Sequence, residues 1–147
     1  MSTLEQLAAW KIRKWMPWGG SYPSKPATQE SVARIESALK FKVPVDFVEF
    51  SRLVHNYGVW FGSIGEDYAS HNHLLVLNEA FHQAEDSAIA LPEHWVLINH
   101  GHDGDCDCFD ITAGKDGEYP IYYVNVESPG APQLLASTFK EYLVKLG

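Results

Sequence analysis

Apolar positions change their period along the chain, and those changes divide it into elements. Leu4, Leu7, Ala8 and Trp15 share one stripe at helical spacing, which predicts a first helix over 4–15. Pro17 and Gly19–Gly20 end it, and PWGGSYPSKP (17–26) reads as a loop. Thr28 is an N-cap with Gln29 and Glu30 in the turn behind it, and Val32, Ile35 and Leu39 give the second helix its stripe. Pro44 stands at a first helical position, with Phe47, Phe50 and Val54 continuing at helical spacing, until Asn56 and Gly58 stop the third helix.

Beyond residue 58 the period falls towards two. VWFGSI (59–64) and HLLVL (73–77) predict strands around the polar loop GEDYASHN, and Asn78 is placed to cap a short helix running to about Ile89. WVLIN (95–99) and DCDCFDI (105–111) predict two more strands. GKDGE (114–118) is a hairpin turn before the strand IYYVNV (121–126). Thr138 and Glu141 have capping-box spacing, and Phe139, Tyr142, Leu143 and Leu146 form the apolar side of a last helix. Helices flanking a meander of strands predict an α+β class with a mainly antiparallel sheet.

Composition narrows this picture without redirecting it. The chain has 147 residues, 46 % of them apolar, which suits one well-cored domain. No apolar run approaches the roughly 18 residues that span a bilayer. The first residues carry charges where a signal peptide needs its apolar centre, so a soluble, cytoplasmic protein is expected. The net charge of −8 is uneven. Residues 1–52 hold 8 Lys/Arg against 5 Asp/Glu, a balance of +3, while residues 53–147 hold 3 against 14, a balance of −11. Such a field repels nucleic acid and anionic membrane and draws basic partners inward. WKIRKWMPW (10–18) alternates basic residues with tryptophan, as membrane or nucleic-acid contacts do. Its few charges do not outweigh the acidic remainder, so packing on the domain as an extra layer is preferred.

The densest candidate chemistry is HGHDGDCDCFD (100–110). Asp103, Asp105 and Asp107 have the first spacings of a calcium loop, but the required sixth-position glycine and twelfth-position glutamate are Cys108 and Gly114. His100 and His102 lack the aspartate of a zinc hydrolase, since Gly104 occupies that place. Cys106 and Cys108 have no second ligand pair to complete a tetrahedral site. On a strand the two cysteines share a face about 6.6 Å apart, near the upper limit for a disulfide, so reduced thiols are preferred. Neither has an identified base with an orienting third residue, and neither G-x-S-x-G nor a P-loop is present. A strand, a Gly/Asp turn with left-handed residues and a second strand account for the same residues as a hairpin. Its aspartates would face solvent or accept from turn amides. An ad hoc zinc site remains the chemical alternative.

The order of these pieces over about Thr28 to Leu146 resembles the SUKH superfamily, or Smi/Knr family. The resemblance is carried by Ile35-Glu36, by Val43-Pro44 with Asp46, and by Asn56-Tyr57-Gly58. It continues in WVLINHGHDGDCDCFD, where Gly104, Asp107 and Asp110 fall on family positions, in Pro120-Ile121-Tyr122, and in Ser137-Thr-Phe139 followed by Tyr142-Leu143. Cys106 stands where the family often has glycine, and Val43 replaces a usual leucine. Residues 1–27 then form an N-terminal helix-and-loop extension to a domain over 28–147. The resemblance implies a single domain with a curved, largely antiparallel sheet and flanking helices. It also implies a non-catalytic binding domain without cofactor.

Bacterial members resemble immunity proteins that neutralise a polymorphic toxin, often a nuclease or deaminase, and fungal relatives resemble regulators of cell-wall synthesis. The leading expectation is an immunity-type binder with a basic protein partner, a toxin domain, and with neither nucleic acid nor membrane as partner. A regulatory scaffold, or a metal-dependent hydrolase using residues 100–110, is the alternative. Candidate partner-binding residues are Trp60, Phe61, Glu66, Asp67, Tyr68, Asp103 and Asp105. Glu36, Pro44, Asp46, Asn56, Gly58, Gly104, Asp107 and Asp110 form the family's structural motif.

Overall fold

In a computed structural model of the chain, the structure describes residues 26–54, 61–85, 89–101, 103–128 and 130–145. The predicted helix over 4–15, the stop at Asn56 and Gly58, and Leu146 lie outside them. The described elements are helices α1 (Gln29–Leu39), α2 (Val45–Val54) and α3 (Leu74–His82), strands β1 (Trp95–His100), β2 (Asp105–Asp110), β3 (Ile121–Asn125) and β4 (Gln133–Ala136), and helix α4 (Phe139–Lys145).

Thr28 starts α1 as its spacing predicts. Its hydroxyl accepts from Ser31 N at 3.0 Å, and Ser31 Oγ accepts from Thr28 N at 2.8 Å, so a serine completes the capping box. Lys40, at φ 57, ends the helix in the left-handed region. Glu36 Oε2 accepts from Val43 N at 2.9 Å and so anchors the connection into α2. The Pro44 carbonyl receives Phe47 N and Val48 N, which makes Pro44 the residue before the first helical one, a position earlier than its spacing predicts.

Among the described residues, two predicted strands depart from expectation. HLLVL belongs to the start of α3, whose N-cap is His73. A short apolar run reads equally as a buried strand or a helix face. Here Leu74, Leu77 and Asn78, at helical spacing, turn inward, and Leu75 and Val76 are half-buried. Asn78 is consequently no cap. It is fully buried inside α3, where Nδ2 donates to Leu74 O and Leu97 O and Oδ1 accepts from Leu97 N. Its amide thus replaces a missing strand neighbour for β1. The described part of 59–64 makes only isolated bridges, Phe61 to Asn99 and Ser63 to His73.

The four strands form an antiparallel meander in the order β1-β2-β3-β4. β4 is an element the pattern did not predict: QLLA is four residues long and follows Pro132. The turn at 114–118 closes as predicted, with Asp116 at φ 56 and Gly117 at φ 77. Apolar side chains cover both faces of the sheet. Val96, Ile98, Phe109 and Ile121 join Phe47, Phe50 and Phe139 in one core, with Phe47 edge-on to Phe139 at 4.9 Å. Leu97, Cys106, Cys108 and Val126 join Leu77 of α3, Leu91 and Trp95 in the other.

Candidate partner-binding face

Alternation along β2 decides what each residue of the acidic stretch does. Cys106 and Cys108 point into the core beside α3, while Asp105, Asp107 and Phe109 share the opposite face. Down that face the environment grades from a fully buried phenyl ring at Phe109 to half-buried carboxylates at Asp107 and Asp105. Asp107 sits between Asn99 of β1 and Tyr123 of β3, and Asp105 sits beside Asn125.

These cross-strand neighbours hold the carboxylates. Tyr142, from α4, donates its hydroxyl to Asp107 Oδ2 at 2.5 Å and accepts from Asn99 Nδ2 at 3.0 Å. Tyr123 donates to Asp105 Oδ1 at 2.5 Å, and Asn125 Nδ2 donates to the same oxygen at 3.0 Å. Asn125 Oδ1 accepts from Glu127 N and Ser128 N, fixing the chain after β3. No Lys or Arg side chain bonds to these carboxylates among the described residues. Partial burial, reinforced by the Asp105 charge, raises the Asp107 pKa above its ordinary value, and the Tyr142 hydrogen bond opposes that rise. Donation to Asp105 is the main cause of the raised Tyr123 pKa; burial and the Asp107 charge raise that of Tyr142.

The turn that presents this face has two successive left-handed residues, Asp103 at φ 61 and Gly104 at φ 85. Gly104 is required on two counts. A Cβ there would lie 2.5 Å from Glu127 Cγ and 2.8 Å from the Glu127 backbone nitrogen, and its φ disfavours any side chain. Asp110, at the other end of β2, accepts from Thr112 N and Thr112 Oγ1, the turn-amide contact expected of these aspartates.

Neither cysteine has the environment of a nucleophile. Burial, with the charges of Asp107 and Asp105 behind it, pushes the Cys106 thiol up to about 12, and burial raises Cys108 well above its ordinary value. Among the described residues no group of three His, Cys, Asp or Glu side chains is placed to hold a metal ion; His102 lies outside them.

The other candidate contacts divide. Trp60 lies outside the described residues. Phe61 is only 8 % exposed and packs against the rings of Phe50, Phe139 and Tyr142, which accounts for its side chain as core. Glu66 is exposed and accepts from Thr28 Oγ1 at 3.1 Å. Asp67 Oδ1 accepts from Ser63 Oγ at 2.7 Å, and Tyr68 lies against His73 at 5.2 Å with the Arg34 guanidinium over its ring at 3.9 Å. Glu66–Tyr68 and Asp105–Asp107 have no bonding partner in common, so the two acidic clusters are separate features. Among the motif residues, Glu36, Pro44, Gly104 and Asp110 have the backbone duties described above. Asp46 lies in the first turn of α2, where its charge helps raise the pKa of Glu118. Asn56 and Gly58 lie outside the described residues.

Asn99, Tyr123 and Asn125 were not among the expected site residues, and Tyr142 was expected only as core. The signal for Tyr123 and Asn125 was available: pairing 105–110 with 121–125 across the 114–118 turn sets Tyr123 and Asn125 opposite Asp107 and Asp105. The family model described as SMI1 / KNR4 family (SUKH-1) matches residues 26–145. No curated protein matches the chain at a significant level.

Proposed function

The chain belongs to the SMI1/KNR4 family (SUKH-1), and from that premise we propose that it is a non-catalytic, immunity-type protein whose acidic sheet face occupies a basic toxin domain. Family membership is consistent with an immunity-type or binding domain. None of the described helices is long and apolar enough to cross a membrane.

The observation that carries the proposal is the holding of Asp105 and Asp107 on one sheet face by Tyr123, Asn125 and Tyr142 without a basic residue. Carboxylates already oriented by neutral donors keep their charge for an incoming cation and lose little freedom when it arrives. The surrounding balance of −11 in residues 53–147 raises the encounter rate with a basic surface. A nuclease or nucleic-acid deaminase presents such a surface, because its cleft is built to attract phosphate.

The test is co-purification and binding kinetics with the catalytic domain of a toxin encoded beside this gene. Binding that blocks the toxin and weakens when Asp103 and Asp105 are both changed to Asn supports the proposal. Full toxin activity in the presence of excess protein refutes it.

A further inference from the structure

Helix α3 is apolar on more than the side it gives to the sheet. Leu74, Leu77 and Asn78 turn inward, while Leu75 and Val76 are half-buried on the side towards α1. A helix apolar over so wide an arc in a soluble domain has part of that arc available for contact. Between α1 and α3 runs an open groove of about 440 Å³, lined on its apolar part by Ala38, Leu39, Leu75 and Val76. Arg34 and Tyr68 also line it, with Glu79 and His82.

One cation, Arg34, and one carboxylate, Glu79, line the groove, so a positive site within it is confined to the Arg34 end. Arg34 is exposed, its guanidinium sits 3.9 Å from the centre of the Tyr68 ring, and no carboxylate pairs with it among the described residues. The aromatic ring restricts the guanidinium without neutralising it and leaves its N–H donors available for a planar acceptor. Glu79 repels anions elsewhere in the groove, so only the Arg34 part suits a carboxylate.

We propose that the α1–α3 groove is a second docking surface, one that takes a segment of a protein partner in which a carboxylate adjoins a branched apolar side chain. The carboxylate meets the Arg34 fork over Tyr68, and the apolar side chain rests on Leu39, Leu75 and Val76. This surface is distinct from the acidic sheet face and does not depend on the identity of the partner there.

N-acetyl-leucine carries a carboxylate beside a leucyl side chain, and N-acetyl-leucinamide has the same body without the charge. Each is titrated into the full-length isotope-labelled protein while the Arg34 Nε–H and the Leu39, Leu75 and Val76 methyl resonances are followed by NMR. Saturable shifts at these groups are expected with the acid, with the amide weaker by about two- to fivefold, as a partly exposed ion pair gives. Arg34→Gln, an exposed substitution, is expected to bring the acid down to the amide's affinity, and Leu75→Ala to weaken both. Equal binding of acid and amide to the unaltered protein, or an absence of saturable shifts, overturns the proposal. Neither probe reads the acidic face, so failure here leaves the toxin-binding proposal standing.

Discussion

Tyr142 in α4 donates its hydroxyl to Asp107 in β2, so a C-terminal helix and the second strand meet through a phenol and a half-buried carboxylate. The same hydroxyl receives Asn99 from β1, and three elements therefore converge on one oxygen. This contact lies where the aromatic core ends and the acidic face begins.

Removing the phenol should cost more than removing the charge. Tyr142→Phe leaves Asp107 Oδ2 and Asn99 Nδ2 without this partner, an expected loss of about 1–3 kcal/mol. Asp107→Asn keeps an acceptor for the phenol. The Asp107 pKa is raised above its ordinary 3.8, so the ionised form is disfavoured in the fold relative to the unfolded chain. That cost is absent below 3.8 and grows as pH rises through the shifted value. Asp107→Asn is therefore expected to be near neutral or stabilising at about pH 7 and to lose that advantage at about pH 3. Urea midpoints at the two pH values check both expectations.

Gly104→Ala should be destabilising through backbone and contact together. The left-handed φ of 85° costs a non-glycine residue of order 1 kcal/mol, and the nearest obstacles include the Glu127 backbone nitrogen, which cannot move aside as a flexible side chain can. A fall of several degrees in Tm is expected. An unchanged Tm would show that the turn accepts a Cβ and that the glycine is not required there.

How much of this was legible in the sequence depended on what kind of signal each element carries. Thr28, the 114–118 turn and the alternation of DCDCFD are local rules, and they placed α1, a hairpin and β2 correctly. HLLVL failed because its helical identity rests on which face meets the sheet, and on His73 supplying a cap from an imidazole instead of a usual capping residue. β4 failed because four residues have too little pattern, and only pairing with β3 makes them a strand. The aspartates were visible as a cluster. Their tyrosine and asparagine partners were hidden because register across the sheet, and the approach of α4 to it, are tertiary facts.

His73 should make stability depend on pH in mildly acidic solution. Its Nδ1 accepts from Leu75 N at 3.1 Å and its Nε2 lies 2.9 Å from Gly65 O, an arrangement that requires the neutral ring protonated at Nε2. Burial is the main reason its pKa is lowered from 6.5; Arg34 adds to the lowering, while the Gly65 hydrogen bond and Asp67 oppose it. Below 6.5 the unfolded chain takes up a proton that the folded one resists, so stability is lost as pH falls from about 6.5 towards the lowered value. His73→Asn keeps a capping acceptor without a titrating ring. Its denaturant midpoint should fall less than that of the unaltered protein between about pH 7.5 and about pH 5. Parallel midpoints would remove His73 as the cause.

Cys106 and Cys108 should resist alkylation in the folded state. The thiolate is the reactive form, and at about pH 8 a thiol whose pKa is pushed up to about 12 supplies almost none of it. Iodoacetamide labelling should be slow in native buffer and rapid in urea. Fast labelling of Cys106 without denaturant would show that the face beside α3 opens readily.

The last prediction concerns the acidity itself, and the structure dictates which residues can test it. Asp67 is a poor probe, because its carboxylate ties Ser63 and a charge reversal there would disturb the turn along with the field. Asp103 is exposed at φ 61, a backbone region that asparagine also tolerates. At Asp105, a carboxamide in place of the carboxylate keeps an oxygen that can accept from Tyr123 and Asn125. Asp103→Asn with Asp105→Asn therefore removes two charges from the face while keeping its shape. If the face steers a basic toxin domain, the double variant should associate roughly two- to tenfold more slowly at low salt, with an unchanged Tm. The difference should shrink as salt rises, because charges separated by more than ~8 Å are screened at physiological ionic strength. Stopped-flow association across a salt series, beside melting curves, separates steering from folding. An association rate that ignores both salt and the two substitutions would leave solubility as the role of the acidity and remove the electrostatic basis of the proposed binding mode.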